Sequence, residues 1–239
     1  MLERIIVGEL RTNCYFFSFN KKECVIIDPG GDASRIISSV EVLNLVPVGI
    51  VFTHGHFDHT LAAAAIKDHF LKKNVKMKIA IHGADRAYLG RSAKRTNLKH
   101  FKVLGGEAQA VFEKLFALLP EPDLYLKEGD DVFKSGLKVI ETPGHSPGSI
   151  CLYHKLESVI FTGDTLFFEG IGRSDLPGGN ERNLLKSIHE KLMVLPPETN
   201  VYPGHGPFTS LEREAKGNPY LEMAKNKPGR LVRPSKYTQ

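Results

Sequence analysis

Apolar residues along the chain fall into short runs broken by glycine, proline and polar turns, and the spacing within each run predicts its conformation. Over residues 1–53 the runs Arg4 to Val7, Cys14 to Phe19, Cys24 to Ile27 and Val48 to Thr53 read as strands; an Asp28-Pro29-Gly30-Gly31 turn and a helix separate the last two. The period then lengthens. Leu61, Ala64, Ala65, Ile66 and Phe70 recur at helical spacing and predict a helix from Thr60 to Lys73, with a strand at Lys78 to Ile81. Residues 84–127 differ in texture: basic at first, then an amphipathic helix near Glu107 to Leu119 that carries Val111, Phe112, Leu115, Phe116 and Leu119 on one side and stops at Pro120 and Pro122. Strands resume at Leu137 to Ile140, Ser149 to Tyr153 and Val159 to Phe161. Asn180 is a candidate N-cap for a helix reaching about Met193, with Leu184, Leu185, Ile188 and Leu192 as its buried side. Pro196 and Pro197 end it, Asn200 to Tyr202 is a short strand, and a helix-rich basic tail follows after about residue 210. The expectation is one domain over 1–239 with a basic helical insertion at about 84–127.

One echo runs through this pattern. A strand ending in Asp28 precedes a strand ending in His54, and the same order returns with Asp164 and His205. Two related halves would place all four polar ends on one edge of a layered sheet, where sites form.

Composition changes the picture little. Of 239 residues 41% are hydrophobic and 25% charged, an ordinary globular mix that excludes a disordered or collagenous chain. The longest apolar run, around Leu61 to Ile66, is far short of the roughly 18 residues of a membrane span. Glu3 and Arg4 spoil a signal peptide, so a soluble, cytoplasmic protein without a membrane partner is expected. Cys14, Cys24 and Cys151 are odd in number and lie in apolar runs, which suits buried reduced thiols. The net charge of +5 is unevenly spread: eleven Lys or Arg against two Asp lie between Lys67 and Lys102, and seven against two Glu follow from Arg213. Neither stretch interleaves its charge with regular aromatics, so no nucleic-acid partner is expected; an electropositive rim for a carboxylate-bearing or phosphate-bearing substrate is the functional alternative to plain solvated faces.

The chemistry lies in four short segments. His54-Gly55-His56-Phe57-Asp58-His59 packs four metal-binding side chains into six residues between a strand and a helix. Residues two apart on a helix point about 200° from each other, so His54 and His56 converge only from a loop. His145 sits between prolines and glycines in Thr142 to Gly148, Asp164 ends a strand in Thr162-Gly163-Asp164-Thr165, and His205 ends another in Tyr202-Pro203-Gly204-His205. Five imidazoles and two carboxylates suit two neighbouring divalent ions, zinc first and iron or manganese next, better than calcium or magnesium.

This set resembles the metallo-β-lactamase superfamily, and the resemblance covers essentially the whole chain. It implies an α+β fold, a four-layer αβ/βα sandwich with the metals at one sheet edge. It also implies one metal on His54, His56 and His145, another on Asp58, His59 and His205, and Asp164 bridging. His59 after Asp58, with Asn13-Cys14-Tyr15, Thr162 to Phe167 and Gly170 to Gly179, resembles the short prokaryotic glyoxalase II (hydroxyacylglutathione hydrolase) branch. The implied reaction is hydrolysis of a thioester such as S-lactoylglutathione by a metal-bridging hydroxide, with Asp58 as ligand and as the catalytic group orienting that hydroxide. Arg173 occupies the place of a basic residue that contacts glutathione, although Asp175 stands near enough in sequence to pair with it. The partner implied is therefore a small anionic thioester. The family's C-terminal helical domain has no clear counterpart, since only 34 residues follow His205, and two substrate-contacting tyrosines are replaced near Asp175 and Pro207. The basic insertion is a candidate for the missing anion contacts. A persulfide dioxygenase with one iron shares much of the pattern, a phosphodiesterase or nuclease of the superfamily would use the basic charge, and a metal-dependent scaffold would need no full ligand set. Asp28 is a candidate to orient a ligand histidine. His82 is a weaker site candidate, and His69, His100, His154 and His189 read as ordinary histidines.

Overall fold

The structure, a computed structural model, describes residues 1–226. Its first half is built on β1 (Leu2–Val7), β2 (Thr12–Ser18), β3 (Glu23–Ile27), α1 (Ala33–Val42), β4 (Val46–Val51), α2 (Phe57–Thr60), α3 (Ala63–Lys72) and β5 (Lys78–His82). Helices α4 (Ala93–Leu104) and α5 (Gly106–Leu115) and strand β6 (Leu124–Leu126) follow. The second half comprises β7 (Lys138–Glu141), β8 (Ile150–His154), β9 (Val159–Gly163), the hairpin β10 (Leu166–Phe167) and β11 (Gly170–Ile171), α6 (Glu181–Ser187), β12 (Asn200–Pro203), β13 (Thr209–Ser210), α7 (Leu211–Gly217) and α8 (Pro219–Asn226).

Strands β1 to β6 form one sheet in sequence order, antiparallel from β1 to β3 and parallel from β3 to β6. The second sheet runs β13-β12-β9-β8-β7, with β12 parallel to β9. Alternation along the strands explains the layering. Cys14, Phe16, Cys24, Ile26, Ile50, Ile79 and Ile81 pack with Ile36, Val40, Ile66 and Phe70 of α1 and α3. Their neighbours Tyr15, Phe17, Val25, Ile27, Val51 and Ala80 turn the other way and meet Ile150, Leu152, Val159 and Phe161 of the second sheet. On the far side Cys151, Ile160 and Val201 pack under Leu184, Ile188, Leu211 and Leu221. Strands apolar at every position are what a sheet covered on both faces requires, and the result is the expected α+β four-layer sandwich. All three cysteines are free and buried, and burial pushes the Cys24 and Cys151 thiols up to about 12.

Three elements differ from the sequence expectation. The helix expected over Thr60 to Lys73 is two pieces, because the Ala62 amide donates to Pro29 O at 3.0 Å and the chain is re-anchored before α3 begins. The helix expected to Leu119 ends at Leu115, where Phe116 turns extended and Leu119 enters the core under α3 instead of lengthening the helical face. Residues 84–127 are not wholly helical: β6 closes the segment by pairing with β5, and α4, hidden in the basic stretch, lies ahead of α5. Of the basic tail, α7 and α8 are described, and the expectation beyond residue 226 lies outside the described residues. Among the described residues no helix is long and apolar enough to cross a membrane.

Asn180 caps α6 as its sequence position predicts, its Oδ1 accepting from the Asn183 amide at 2.9 Å. The same helix holds the His145 loop, with Ser187 Oγ donating to Pro143 O at 2.8 Å and Gly144 lying so close that a Cβ there would meet Leu184 N at 2.3 Å. Asn180→Ala is expected to cost about 1 kcal/mol of folding stability, read as a lower urea midpoint at constant slope; an unchanged midpoint would show that α6 needs no cap.

Candidate metal centre

Parallel pairing brings the chemistry to one edge. Strands β3 and β4 run side by side and end in Asp28 and the His54 loop, while β9 and β12 run side by side and end in Asp164 and His205. The loop after β7 adds His145 on the same edge. Hydrogen bonds tie the halves together: Asn13 N donates to Gly204 O at 2.7 Å, the Asn13 side-chain Nδ2 to Pro203 O at 2.9 Å, and Ile150 N to Thr53 O at 2.8 Å.

All seven side chains singled out in the sequence converge here. Three groups, His54/His56/His145, Asp58/His59/His205 and His54/His59/Asp164, each present one donor atom per residue within 4.8 Å of the others. His145 Nε2 lies 2.8 Å from His56 Nδ1 and 3.2 Å from His54 Nε2, and His59 Nε2 lies 3.3 Å from His205 Nε2. Asp164 reaches both sides, its Oδ2 standing 3.7 Å from both His145 Nε2 and His205 Nε2. Room for that carboxylate exists only because residue 204 is glycine; a Cβ there would lie 2.2 Å from Asp164 Oδ1.

Outer hydrogen bonds decide which nitrogen of each ring faces inward. Asp28 Oδ1 accepts from the Thr53 amide at 2.8 Å and Oδ2 from the Thr53 hydroxyl at 2.6 Å. That hydroxyl has then spent its proton and accepts from His54 Nδ1 at 3.1 Å, which leaves the Nε2 lone pair directed inward. His59 Nδ1 donates to Asp28 Oδ2 at 3.0 Å, and His145 Nδ1 donates to the Arg173 carbonyl at 2.7 Å, with the same consequence. Asp28 thus stands where the sequence suggested, behind a histidine of the cluster.

Burial pushes His54 and His56 well below the ordinary histidine pKa, and neighbouring imidazoles add to the effect. Burial also lowers His145, more than Asp164 and the Arg173 carbonyl raise it. His59 goes the other way: burial opposes its charge, but Asp58, Asp164 and Asp28 carry it up to about 10. His205 is raised against its own burial by Asp164 and Asp58. A single proton can join two facing nitrogens but not three, and Asp164 Oδ1 is buried with no hydrogen-bond partner, so this donor set fits divalent cations. Asp58, Asp164 and His205 keep 16, 10 and 23% of their side-chain exposure, so the centre opens on that side. A cleft of about 330 Å³ lies next to it, with Asp58, Phe57, Leu61, Ala65 and Leu115 in its walls.

The predicted substrate residue, Arg173, has its guanidinium on Asp175, Nε to Oδ1 at 2.8 Å and Nη2 to Oδ2 at 2.9 Å. His82 caps the following turn and meets Glu141 at 3.1 Å. His69 and His154 bond to Glu41 and the Glu157 amide, away from the cluster. His100 is a correction: it is buried, its ring centroid 4.9 Å from that of His56 and its Nε2 3.0 Å from Tyr88 Oη. The basic insertion in fact touches three successive residues of the histidine loop. Asp85, wholly buried, accepts from the Gly55 amide at 2.9 Å and from Ser146 Oγ and the Gly148 amide at 2.6 and 2.7 Å, joining the His56 and His145 loops. Tyr88 and His100 flank His56, and Phe101 and Phe112 pack on Phe57 at 4.8 and 5.5 Å between ring centroids. Sequence reading missed Asp85, Tyr88 and His100 because they lie 26 or more positions beyond His59 with no ligand spacing to mark them.

The chain belongs to the metallo-beta-lactamase superfamily, whose profile matches residues 7–205. It is 36% identical over 221 residues to "Probable metallo-hydrolase YqgX" of Bacillus subtilis, covering 91% of this chain and 96% of that protein. It is 34% identical over 223 residues to "Hydroxyacylglutathione hydrolase GloC" of Haemophilus influenzae, covering 92% and 97%. Among solved structures it is similar to the BLEG-1 B3 metallo-beta-lactamase, with a TM-score of 0.80, 36% identity and coverage of 92% and 99%. It also matches TTHA1623 in a di-iron-bound form, with a TM-score of 0.73, 32% identity and coverage of 92% and 100%. The family is one of metallo-hydrolases, which supports an enzyme.

In the metal-free protein at pH 7 His59 keeps its proton while His54, His56 and His145 carry none. Filling the Asp58/His59/His205 group should therefore release at least about one proton more than filling the His54/His56/His145 group, since His205 is raised in the same direction as His59, and its affinity should climb with pH up to about 10. Because the folded-state pKa of His59 is raised, its ion pairs stabilise the metal-free fold fully below its unfolded pKa and lose that effect as pH rises through about 10. Titration calorimetry in buffers of different ionisation enthalpy checks the first statement; equal proton release for the two groups would refute it.

Proposed function

We propose that the chain is a dinuclear metal-dependent thioester hydrolase of the hydroxyacylglutathione hydrolase type, acting on a small anionic thioester such as S-lactoylglutathione. The observation that carries it is the pairing of two three-residue donor groups, His54/His56/His145 and Asp58/His59/His205, with Asp164 facing both. The 34% identity to GloC across nearly all of both chains supports the substrate class. In this reading the seven residues hold two ions, zinc by preference for an imidazole-rich set, with iron or manganese as substitutes. The di-iron form of TTHA1623 supports the count of two.

Divalent cations held there would lower the pKa of water and polarise the thioester carbonyl. The protein's own part is positioning. Asp58, whose carboxyl is held well below the usual carboxylate range by His59 and His205 against the effect of burial, stays ionised and can accept a hydrogen bond from the attacking water or hydroxide and so aim it. Thr12 Oγ1, 3.4 Å from Asp58 Oδ2, holds that carboxylate in place. The cleft beside Asp58 suits a short acyl group, and its walls of Phe57, Leu61 and Ala65 keep bulk water from the reacting carbonyl. The anionic end of the substrate belongs on the other side, toward Arg173 and the first, basic part of the insertion. Between Asp85 and Glu107 that segment carries six Lys or Arg and no acidic residue. Arg173, although paired with Asp175, keeps donors to spare.

Thiol release from S-lactoylglutathione, abolished by chelator and restored by zinc, with near two ions per chain, is the expected result. About one iron per chain with oxygen uptake on a glutathione persulfide, or turnover of a chromogenic β-lactam without thiol release, would replace this reading. Asp58→Asn should lower kcat about 10²–10⁴-fold. Arg91→Glu with Lys94→Glu should raise KM for the anionic thioester several-fold, more at low salt than at high, and leave kcat unchanged; an unmoved KM would remove the insertion from substrate binding.

A further inference from the structure

Of the four imidazoles deepest in the cluster, three have their outward nitrogen settled: His54 on Thr53, His59 on Asp28 and His145 on the Arg173 carbonyl. His56 is the exception. It faces the cluster with Nδ1, and its Nε2 is buried with no hydrogen-bond partner. A second buried ring nitrogen without a partner, Nδ1 of His100, belongs to the imidazole that packs edge-on against it, with ring planes at 74° and centroids 4.9 Å apart. Two orphaned nitrogens on adjacent buried rings are costly unless they serve each other, because each forfeits its hydration.

The donor and acceptor logic fits only one way when Nδ1 of His56 gives its lone pair to a cation. Its Nε2 must then carry the proton and needs an acceptor. His100 can accept at Nδ1 only as the Nε2–H tautomer, and that tautomer has its own acceptor already placed, Tyr88 Oη at 3.0 Å. Burial raises the Tyr88 phenol above its ordinary pKa, so it remains a neutral hydroxyl able to receive that bond. The two nitrogens are adjacent but not hydrogen-bonded to each other in this structure; the geometry points to His100, backed by Tyr88, as the group that becomes the outer hydrogen-bond partner of His56 once Nδ1 of His56 is engaged by a cation, so that the basic insertion would supply for the His54/His56/His145 group what Asp28 supplies for His59. His100 is in this sense a positioning residue. The inference rests on the reading of that group as a metal position but not on the thioester.

Metal affinity tests it directly. Zinc binding is measured by competition with a chromophoric chelator, alongside the visible spectrum of the cobalt-substituted protein, for wild type, His100→Phe, His100→Gln and Tyr88→Phe. Melting of each metal-free variant reports purely structural damage. His100→Phe should weaken one of the two ions about 10–100-fold, leave the other at its wild-type affinity and change the cobalt spectrum of one site. His100→Gln, which keeps an acceptor oxygen, should recover most of the loss, and Tyr88→Phe should cost less than His100→Phe. Unchanged affinity in His100→Phe overturns the proposal. So does an equal loss at both ions that glutamine fails to rescue and that tracks a lower metal-free melting point. A wild type that binds no zinc overturns both this inference and the metal reading beneath it, whereas loss of thioester turnover with the affinity pattern intact would fault only the substrate.

Discussion

Seven polar side chains at the rim of two sheets, four of them buried and three nearly so, are tolerable only if their charges are balanced and their outer atoms are bonded. Uncompensated burial of a single ionised group already costs several kcal/mol, and here two carboxylates and five imidazoles crowd within a few ångströms. The metal-free protein meets this by dividing the cluster. Protons sit on the His59 and His205 side, where Asp58, Asp164 and Asp28 are, and leave the His54, His56 and His145 side neutral. Divalent ions would resolve the same imbalance without protons. The Asp28–Thr53 unit is central to either state, since one buried carboxylate fixes both His54 and His59 and also the backbone between them and β4.

The topology serves that constraint. Two parallel strand pairs, β3 with β4 and β9 with β12, end in an aspartate and a histidine each, so the repeated strand pattern noticed in the sequence becomes two opposed halves of one site. Close approach then depends on a few positions without side chains. Gly204 lets Asp164 lie against His59, and Gly55 lies where a Cβ would meet Tyr88 at 2.4 Å.

How much of this could be read beforehand follows from how local each feature is. His54 to His59 announce themselves within six residues, and His145, Asp164 and His205 stand at strand ends flanked by glycine and proline. The four layers are implied by the family resemblance, and the apolar runs, too continuous for a half-exposed sheet, agree with it. The insertion was less legible for a physical reason: α4 shows solvent a row of lysines and arginines, and that row hides a buried face of Ala93, Asn97, His100 and Phe101. Asp85 looked like one acidic residue in a turn, and only the fold brings Ser146 and Gly148 to it from 61 and 63 positions away.

Phe57 gives that arrangement a further meaning. It separates His56 from Asp58, and its ring is seated between Phe101 and Phe112 of the insertion. Residues 84–127 are therefore packed against the loop that carries His54, His56 and Asp58. Unlike a hinged lid, this segment cannot be replaced without disturbing the donor cluster beneath it. Any redesign of residues 84–127 is at the same time a redesign of the packing around His56 and Phe57.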